Sequence, residues 1–479
     1  MRSLTLRQLA HVMRASTLLP YDRVVTALGT DSRGIEAGAL FFALRGERFD
    51  GHDFVAQALS RGAIPVVSRT HPVADPTIML LVDDPQDALI ALASALRTLH
   101  PGKVVAITGS VGKTTVKDMT AAALSAFGTV ARTLGNYNNR IGLPLTLGAT
   151  TGHEDFLVLE LGMSAPGEIC ELVHIARPDV ALVTCAAAAH LEFFESVDGI
   201  ADAKAELYEH ATPHTRFVAN ADDPRMSTRA QRFALHPAQR PLTFGRQQAE
   251  VRVLGSRHES GRLAVELDVA GTHLSLSLAI LGHHQADNAA AALAVVHALG
   301  LDVRKAADAL SATFTTPRRR LELVRHGPLT VLDDCYNASP TSMRAALMTF
   351  GELSAGSTGS TGGPRVAVLG SMLELGPDAD RLHAEVAALT AGLDAVFCTG
   401  PHAHALADGA RQAGVPVVHQ AADLMDLSTP LAAYAGQPGW VLLKGSRGTR
   451  LERAHDILRD PSTIEHLDSR DIAQTGGHA

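Results

Sequence analysis

The chain has 479 residues, and at roughly 150 residues per domain that length suggests about three domains. Lys plus Arg number 42 against 50 Asp plus Glu, a formal net charge of −8, and 46% hydrophobic with 19% charged residues is ordinary globular usage. These values exclude a disordered chain, a collagen-like chain and a basic nucleic-acid-coating protein, so any anionic ligand must be met by positive charge gathered locally.

The first residues, MRSLTLRQLAHVMRAST, lack the continuous apolar stretch of a secretory signal. Several arginines and few acids leave an organelle transit peptide open, but an ordinary first helix fits better. Thr5 and Gln8 have the spacing of a capping box, and Leu6, Leu9, Ala10 and Met13 fall on one helical face. Residues 31–54 are rich in Gly, Asp and Arg; 55–68 read as a helix running into a strand; 84–99 read as a helix that stops at His100-Pro101-Gly102. From Lys103 the pattern is strand, loop, helix. VVAIT, FLVLELG and DVALVT are buried-strand candidates, each followed by a helical pattern, which argues for a parallel α/β sheet. Residues 252–278 alternate with period two, as in an antiparallel hairpin, and 287–299 form an alanine-rich helix. A third unit begins near Pro317, where LTVLDDC, PRVAVLG, LDAVFCTG, VPVVHQ and WVLLKGS read as strands of a second doubly wound sheet. SAGSTGSTGGP, residues 354–364, reads as a flexible low-complexity loop.

The fold class is therefore α/β in three domains: a small α/β unit over 1–82, a central phosphate-loop parallel-sheet unit over 83–316, and a Rossmann-like unit over 317–479. No apolar run approaches the roughly 18 residues of a membrane span. Cys170, Cys185, Cys335 and Cys398 form no C-x-x-C pair, which fits a reducing compartment and a cytoplasmic location.

The strongest chemical signal is ITGSVGKTT, residues 107–115. A strand runs into a glycine turn and Lys-Thr opens a helix, so backbone N–H groups and the helix N-terminus form a phosphate site. Gly109, Ser110, Val111, Gly112, Lys113, Thr114 and Thr115 make up this loop. Lys113 can reach the β/γ-phosphates and Thr114 can ligate Mg²⁺. Only two residues separate Gly109 from Gly112 where the general motif has four; the strand before and the helix after support the assignment. Glu160 stands at the C-terminal end of a strand, where ligands of open α/β sheets gather, and suits a Mg²⁺ carried by ATP. His190 ends another strand segment and is a candidate metal or catalytic group, against the bland reading of one histidine among 23. Lys204 lies on an apolar stripe with Ile200, Ala203 and Leu207, so it must snorkel, pair or be altered. A buried lysine loses its proton readily, and a neutral amine can take up CO₂ as an anionic carbamate able to ligate Mg²⁺.

Asn136, Asn138 and Asn139 sit in a glycine-rich loop after the phosphate-loop helix. Asn288 opens the alanine-rich helix, where capping competes with base recognition. PRRRLE gathers three arginines at the junction of the second and third units. LDDCYNASP places Asp334 and Asn337 after a strand, and VLLKGSRGTRLE offers Lys444, Ser446 and Arg447. Each could be a solvated loop; together they are polar groups at the strand ends of a domain facing a nucleotide site.

Across nearly the whole chain these motifs resemble the Mur ligases, the ATP-dependent amino-acid and peptide ligases of peptidoglycan precursor synthesis. TGSVGKTT, ELG, AHLE, IADAKAE, GHHQADNAAAA and the final KGSR are similar to family patterns. DDCYNASPTSMRAAL resembles the branch that adds D-alanyl-D-alanine to UDP-MurNAc-tripeptide through an acyl phosphate. The Asp-Asn-Pro-Arg motif of the branch that adds the third residue is absent. The resemblance implies that Lys113 and Thr114 hold the ATP phosphates and Mg²⁺, that Glu160 and His190 ligate Mg²⁺, and that Lys204 is carbamylated. It further implies that Asn288 contacts adenine and that Arg320, Asp334 and Asn337 approach the nucleotide from the last domain. Asp31, Ser32 and Arg33 would hold the uridine nucleotide, and Asn138 or Asn139, with Lys444, Ser446 and Arg447, would meet substrate. The resemblance implies two small-molecule substrates, no nucleic acid, no membrane span and a monomer. The alternatives are the third-residue ligase, a folylpolyglutamate synthase, a phosphate-loop kinase or switch NTPase, and a non-catalytic partner protein with a relic site. Three positions depart from the family: Arg319 stands at a usual glycine, Cys185 at a frequent asparagine and Ser371 at a usual aspartate.

Overall fold

The computed structural model describes residues 1–46, 49–188, 192–355 and 362–459. It contains three main sheets in chain order, each with helices packed on it. The low-complexity segment of the sequence lies mostly outside the described residues.

In the first unit, Leu28–Gly29, Leu40–Phe42, Ile64–Ser68 and Leu80–Val82 form a four-stranded parallel sheet. Helix Leu6–Met13 starts in a capping box: Gln8 N–H donates to Thr5 Oγ1 at 3.4 Å and Thr5 N–H donates to Gln8 Oε1 at 2.9 Å. Leu6, Leu9, Ala10 and Met13 are buried, as the helical spacing requires. Helix Pro85–Leu99 is capped by Asp84, whose carboxylate accepts from Gln86 and Asp87 N–H. It buries Ala88, Leu89, Leu92 and Leu96 in the first core and turns Ala93 into the core of the central unit. One helix therefore seams the two units.

The central sheet has nine strands. From one edge they run Thr272–Leu278, Arg262–Val269, Val251–Glu259, Leu242–Gly245, Arg216–Asn220, Val180–Val183, Lys103–Thr108, Phe156–Glu160 and Val130–Arg132. All pairings are parallel from Val251–Glu259 onward; the first three strands form an antiparallel meander. The period-two stretch read as a hairpin is thus three strands. Both turns, Ser260-Gly261 and Ala270-Gly271, have positive φ at both residues, the geometry that matches strand twist in two-residue turns. The alternation in 265–278 reads as the hairpin about Ala270-Gly271; the strand before Ser260-Gly261 is the addition. One face of this sheet is covered by helices Lys113–Leu124 and Gln285–Ala298, the other by Glu168–Ala176 and Val197–Glu209.

The third sheet has six strands, ordered Glu322–His326, Leu329–Asp334, Gly439–Lys444, Arg365–Gly370, Ala395–Thr399 and Val417–Ala421. Only the first pair is antiparallel. The five segments read as strands of this unit are all strands. The central and third sheets present the C-terminal ends of parallel strands to one cavity of about 730 Å³, as Glu160, Thr184, Asn220, Asp334 and Lys444 on its wall show.

Candidate active site

Strand Lys103–Thr108 ends in the turn of residues 109–112, and helix Lys113–Leu124 begins at once. Two glycines make that turn possible. Gly109 has φ +149°, and a Cβ there would overlap Thr184 Oγ1. Gly112 has φ +83°, and its Cβ would stand 2.7 Å from Asn288 Oδ1. Thr184 Oγ1 donates to Val111 C=O at 2.6 Å and Ser110 N–H donates to Cys185 C=O at 2.8 Å, so the neighbouring strand end holds the loop open. Lys113 Nζ folds back to donate to Gly109 C=O at 2.7 Å and Ser110 C=O at 3.3 Å. Desolvation, with the charge of Arg320, lowers the Lys113 pKa, and Glu160 opposes this. Thr115 is buried. All loop residues from Ser110 to Thr115 line the cavity.

Glu160 is 3% exposed. Its Oε1 accepts from Asn138 Nδ2 at 2.9 Å, while Oε2 is buried with no hydrogen-bond partner among the described residues. A buried carboxylate oxygen left without a donor costs free energy unless a cation or bound water meets it. Asn139 is used differently: its Oδ1 accepts from Ile141 and Gly142 N–H at 3.2 and 2.9 Å and caps the next helix. Asn136 joins Asn138 and Asn139 on the cavity wall.

Lys204, in helix Val197–Glu209, is 2% exposed, so it does not snorkel. Nothing described accepts a hydrogen bond from it. Lys117, equally buried, shows the contrast: its Nζ donates to Thr133 C=O at 2.7 Å and lies 3.4 Å from Asp118. Desolvation and then the charge of Lys113 push the Lys204 pKa well below the ordinary lysine value. Lys204 is not among the residues on the cavity wall, although it is close enough to feel Lys113 and Cys185. His190 lies outside the described residues.

The third unit closes the cavity. Arg320 Nη2 donates to Thr114 Oγ1 at 3.1 Å, and its guanidinium lies 4.3 Å from the centre of the Tyr336 ring. Arg447 lies 5.8 Å from the same ring. Asp334 and Lys444 form a buried ion pair at 2.7 Å, and Lys444 Nζ also donates to Asn337 C=O at 2.8 Å. Burial raises the Asp334 pKa against the pull of Lys444. Lys444 is thus engaged within its own unit. Ser446 is buried and accepts from Leu373 N–H at 3.1 Å. Asn288 is the fourth residue of helix Gln285–Ala298 and donates to Gln285 Oε1 at 2.6 Å, so it does not cap the helix. Asp31, Ser32 and Arg33 stand apart in the first unit. Asp31 pairs with Arg33 at 2.8 Å, Ser32 is buried against Gln57, and none of them lines the cavity.

A clamp joins the two halves of the cavity. Glu352, on helix Pro340–Ala355, bonds His258 Nδ1 and His283 Nε2, each at 2.9 Å. Gly282 N–H donates to His258 Nε2 at 2.9 Å, which puts the His258 proton on Nδ1, facing the carboxylate. Neutral rings therefore suffice. The Glu352→Ala variant should lose about 1 kcal/mol per bond. X-ray scattering should then report a larger radius of gyration, and the KM for ATP should rise several-fold.

The Mur ligase family catalytic domain matches residues 24–95, the Mur ligase middle domain residues 107–296, and the Mur ligase glutamate ligase domain residues 319–447. The UDP-N-acetylmuramoyl-tripeptide–D-alanyl-D-alanine ligase of Escherichia coli (strain K12) is 35% identical over 97% of this chain and 100% of its own. The chain belongs to the Mur ligase family. The Bacillus subtilis (strain 168) ligase of the same name is 34% identical over 95% of this chain and 99% of its own. Among solved structures, MurF from Acinetobacter baumannii superposes with a TM-score of 0.85 at 29% identity, covering 96% of this chain and 99% of that one. MurF from Thermotoga maritima in complex with ADP gives 0.78 at 30% identity, covering 90% and 96%. Folylpolyglutamate synthase from Mycobacterium tuberculosis shares the fold at 22% identity, with a TM-score of 0.61, covering 79% of this chain and 96% of that one.

Within this Mur ligase, the three departures have distinct settings. Arg319 has φ +60°, a conformation in which glycine carries no steric cost. Cys185 lines the cavity, and burial raises its thiol pKa. Ser371 is fully buried; its hydroxyl donates to Thr399 C=O at 3.2 Å and accepts from His402 N–H at 2.9 Å. Residues not singled out from sequence also reach the wall, notably Tyr336, His284 and Glu168. Desolvation first, and then Lys444, lower the His284 pKa to about 4, so its ring is neutral at physiological pH. The Gly112→Ala variant should fold and lose nucleotide affinity by about tenfold or more. Its methyl group meets Asn288 and its φ is left-handed, a cost of roughly 1–2 kcal/mol. Calorimetric titration with ADP measures the loss.

Proposed function

We propose that this Mur ligase joins D-alanyl-D-alanine to UDP-N-acetylmuramoyl-tripeptide at the expense of ATP, giving the UDP-MurNAc-pentapeptide used in peptidoglycan synthesis. The observation that carries the reading is the end-to-end similarity to ligases of that name, with a phosphate loop and a buried carboxylate oxygen that lacks a hydrogen-bond partner among the described residues, on the wall of one two-domain cavity. The third-residue ligase and folylpolyglutamate synthase readings lack comparable support, since the folylpolyglutamate synthase likeness extends to the fold alone.

The terminal carboxylate of the tripeptide attacks the γ-phosphate, ADP leaves and an acyl phosphate forms; the dipeptide amine attacks its carbonyl, loses a proton, and inorganic phosphate leaves. The physical difficulty is bringing one anion to another in a net acidic protein. Lys113 and the N–H groups of residues 109–115 counter the phosphate charge, in the manner of a preorganised electrostatic site. Thr114, Glu160, His190 and a carbamylated Lys204 would hold Mg²⁺. Bound there, the ion would neutralise phosphate oxygens and align the displacement. The donor set fits, because Glu160 Oε2 has no hydrogen-bond partner among the described residues. Carbamylation also suits the setting of Lys204. CO₂ bonds to the neutral amine and a proton leaves, so repulsion from Lys113 becomes attraction.

Asn288 would lie against adenine, and Arg320, Asp334 and Asn337 would approach the nucleotide from the third unit. Asn138, which faces Glu160, is the better placed of the two asparagines to meet substrate. Ser446 and Arg447 would contact the incoming dipeptide, with Lys444 holding Asp334 in position. The first unit, through Asp31, Ser32 and Arg33, would take the UDP-sugar. Contact between Arg320 and Thr114 supports closure of the third unit over the central one, which would shield the acyl phosphate from water. We place the enzyme in the cytoplasm as a monomer; no described helix is long and apolar enough to cross a membrane.

The test is phosphate release from ATP in the presence of UDP-MurNAc-tripeptide, with and without D-alanyl-D-alanine. Release should require the dipeptide. Release that ignores it counts against the reading.

A further inference from the structure

Apart from the cavity, three clusters among the described residues gather metal-ligating side chains, and they differ in whether their ring nitrogens are free. In the group Asp50, His52 and His71, Ser68 N–H donates to His52 Nε2 at 3.0 Å and Asp50 faces Nδ1 at 2.6 Å. In the Glu352 clamp, Gly282 N–H occupies His258 Nε2 in the same way. A backbone donor on one ring nitrogen puts the proton on the other, so neither ring offers a lone pair to an ion. Both clusters are completed by hydrogen bonds.

The third cluster is different. Cys170 and His174 stand one turn apart on helix Glu168–Ala176, and His210 ends helix Val197–Glu209. We propose that Cys170, His174 and His210 form a second metal site, for a borderline-soft divalent ion of the zinc class, separate from the nucleotide cavity. None of the three lines that cavity.

Cys170 Sγ and His174 Nδ1 are 3.6 Å apart, and the three candidate ligand atoms all lie within 4.8 Å of one another. Tetrahedral zinc, with bonds of about 2.3 Å to sulfur and 2.0 Å to nitrogen, sets those atoms about 3.5 Å apart. The first pair is already at ligand spacing. The His174 and His210 rings lie with centroids 5.5 Å apart. Cys170 is a free thiol, and among the described residues no group other than Cys170 hydrogen-bonds either ring.

The charge around the thiol has the right sign. Glu206, Glu171 and Glu209 surround it with negative charge, a setting that attracts a cation. Glu206 is not a spare ligand: its two oxygens accept from Gly167 and Cys170 N–H at 2.7 and 3.0 Å. It fixes the start of the helix, and water takes the fourth position. On binding, the Cys170 proton is released, the sulfur–metal bond forms and the ion sheds hydration water. The ion would cross-link a helix that begins at Glu168, on the cavity wall, to the helix that carries Lys204.

Cobalt(II), added to the full-length chain in excess Mg²⁺, tests the site by absorption without reference to activity. A single equivalent should produce a thiolate-to-cobalt charge-transfer band and the intense visible bands of a four-coordinate ion, both displaced by zinc. Cys170→Ser should abolish the charge-transfer band. His174→Ala and His210→Ala should each weaken zinc binding by at least about tenfold, with unchanged circular dichroism. Zinc should also slow alkylation of Cys170, read by peptide mass mapping. A charge-transfer band that survives Cys170→Ser, a six-coordinate spectrum, or zinc affinity unchanged in both histidine variants would overturn the proposal.

Discussion

Replacing Lys204 by methionine is expected to remove ligase turnover while raising the stability of the fold. The two effects have one cause. Lys204 sits 2% exposed on the apolar stripe of helix Val197–Glu209, with no described acceptor, and in the field of Lys113. Burying an ammonium without a partner is costly, and an unbranched apolar side chain removes that cost. The gain should be on the order of 1–3 kcal/mol, measured by chemical denaturation in CO₂-free buffer. Turnover should fall by roughly 10²–10³ or more, as when one preorganised electrostatic group is removed.

The pH dependence separates this account from simple repacking. The folded-state pKa of Lys204 lies below its ordinary value. Between the two values the unfolded chain binds a proton that the folded chain does not, so wild-type stability rises with pH towards about 10.5. The advantage of methionine should therefore be largest near neutrality and shrink as the pH rises. An advantage independent of pH, or one that grows with it, contradicts a depressed lysine. Bicarbonate should reactivate stripped wild type and leave the methionine variant inactive.

The parts of the site that are legible in the sequence are those written in contiguous residues. The phosphate loop reads directly, because strand, glycine turn and Lys-Thr lie within nine positions, 107–115. The stripe that buries Lys204 reads from helical spacing, and the strands of the third unit from apolar runs. What does not read is whatever depends on long-range approach. Asn138 and Asn139 are chemically identical in the sequence, and only the fold turns one to Glu160 and the other to a helix cap. Lys444 reads as a substrate contact and Asp334, 110 positions away, as a nucleotide contact; only the fold pairs the two with each other. Tyr336 becomes notable only when two guanidinium groups are seen at its ring. The third strand of the meander, paired across Ser260-Gly261, does not read from the alternation that gives the hairpin.

The junction arginines give the second large effect, and here adjacent residues should behave oppositely. Arg319 and Leu321, on either side of Arg320, both have left-handed backbones, at φ +60° and +55°. Arg320 crosses to Thr114 Oγ1 over Tyr336. Arg319 instead lies 3.5 Å from Glu452, inside the third unit and partly exposed. Arg320→Ala should lower kcat by about 10²–10³ and raise the KM for ATP, since it removes the third-unit cation that contacts Thr114. Arg319→Ala should stay within a few-fold of wild type. Arg319→Gly relieves a left-handed conformation worth roughly 1–2 kcal/mol and gives up an exposed ion pair worth at most about 1 kcal/mol. Its melting temperature should thus equal or exceed that of wild type, with turnover retained. If Arg319→Gly were inactive and Arg320→Ala active, the two roles would have to be exchanged, and the contact between Arg320 and Thr114 would carry no catalytic weight.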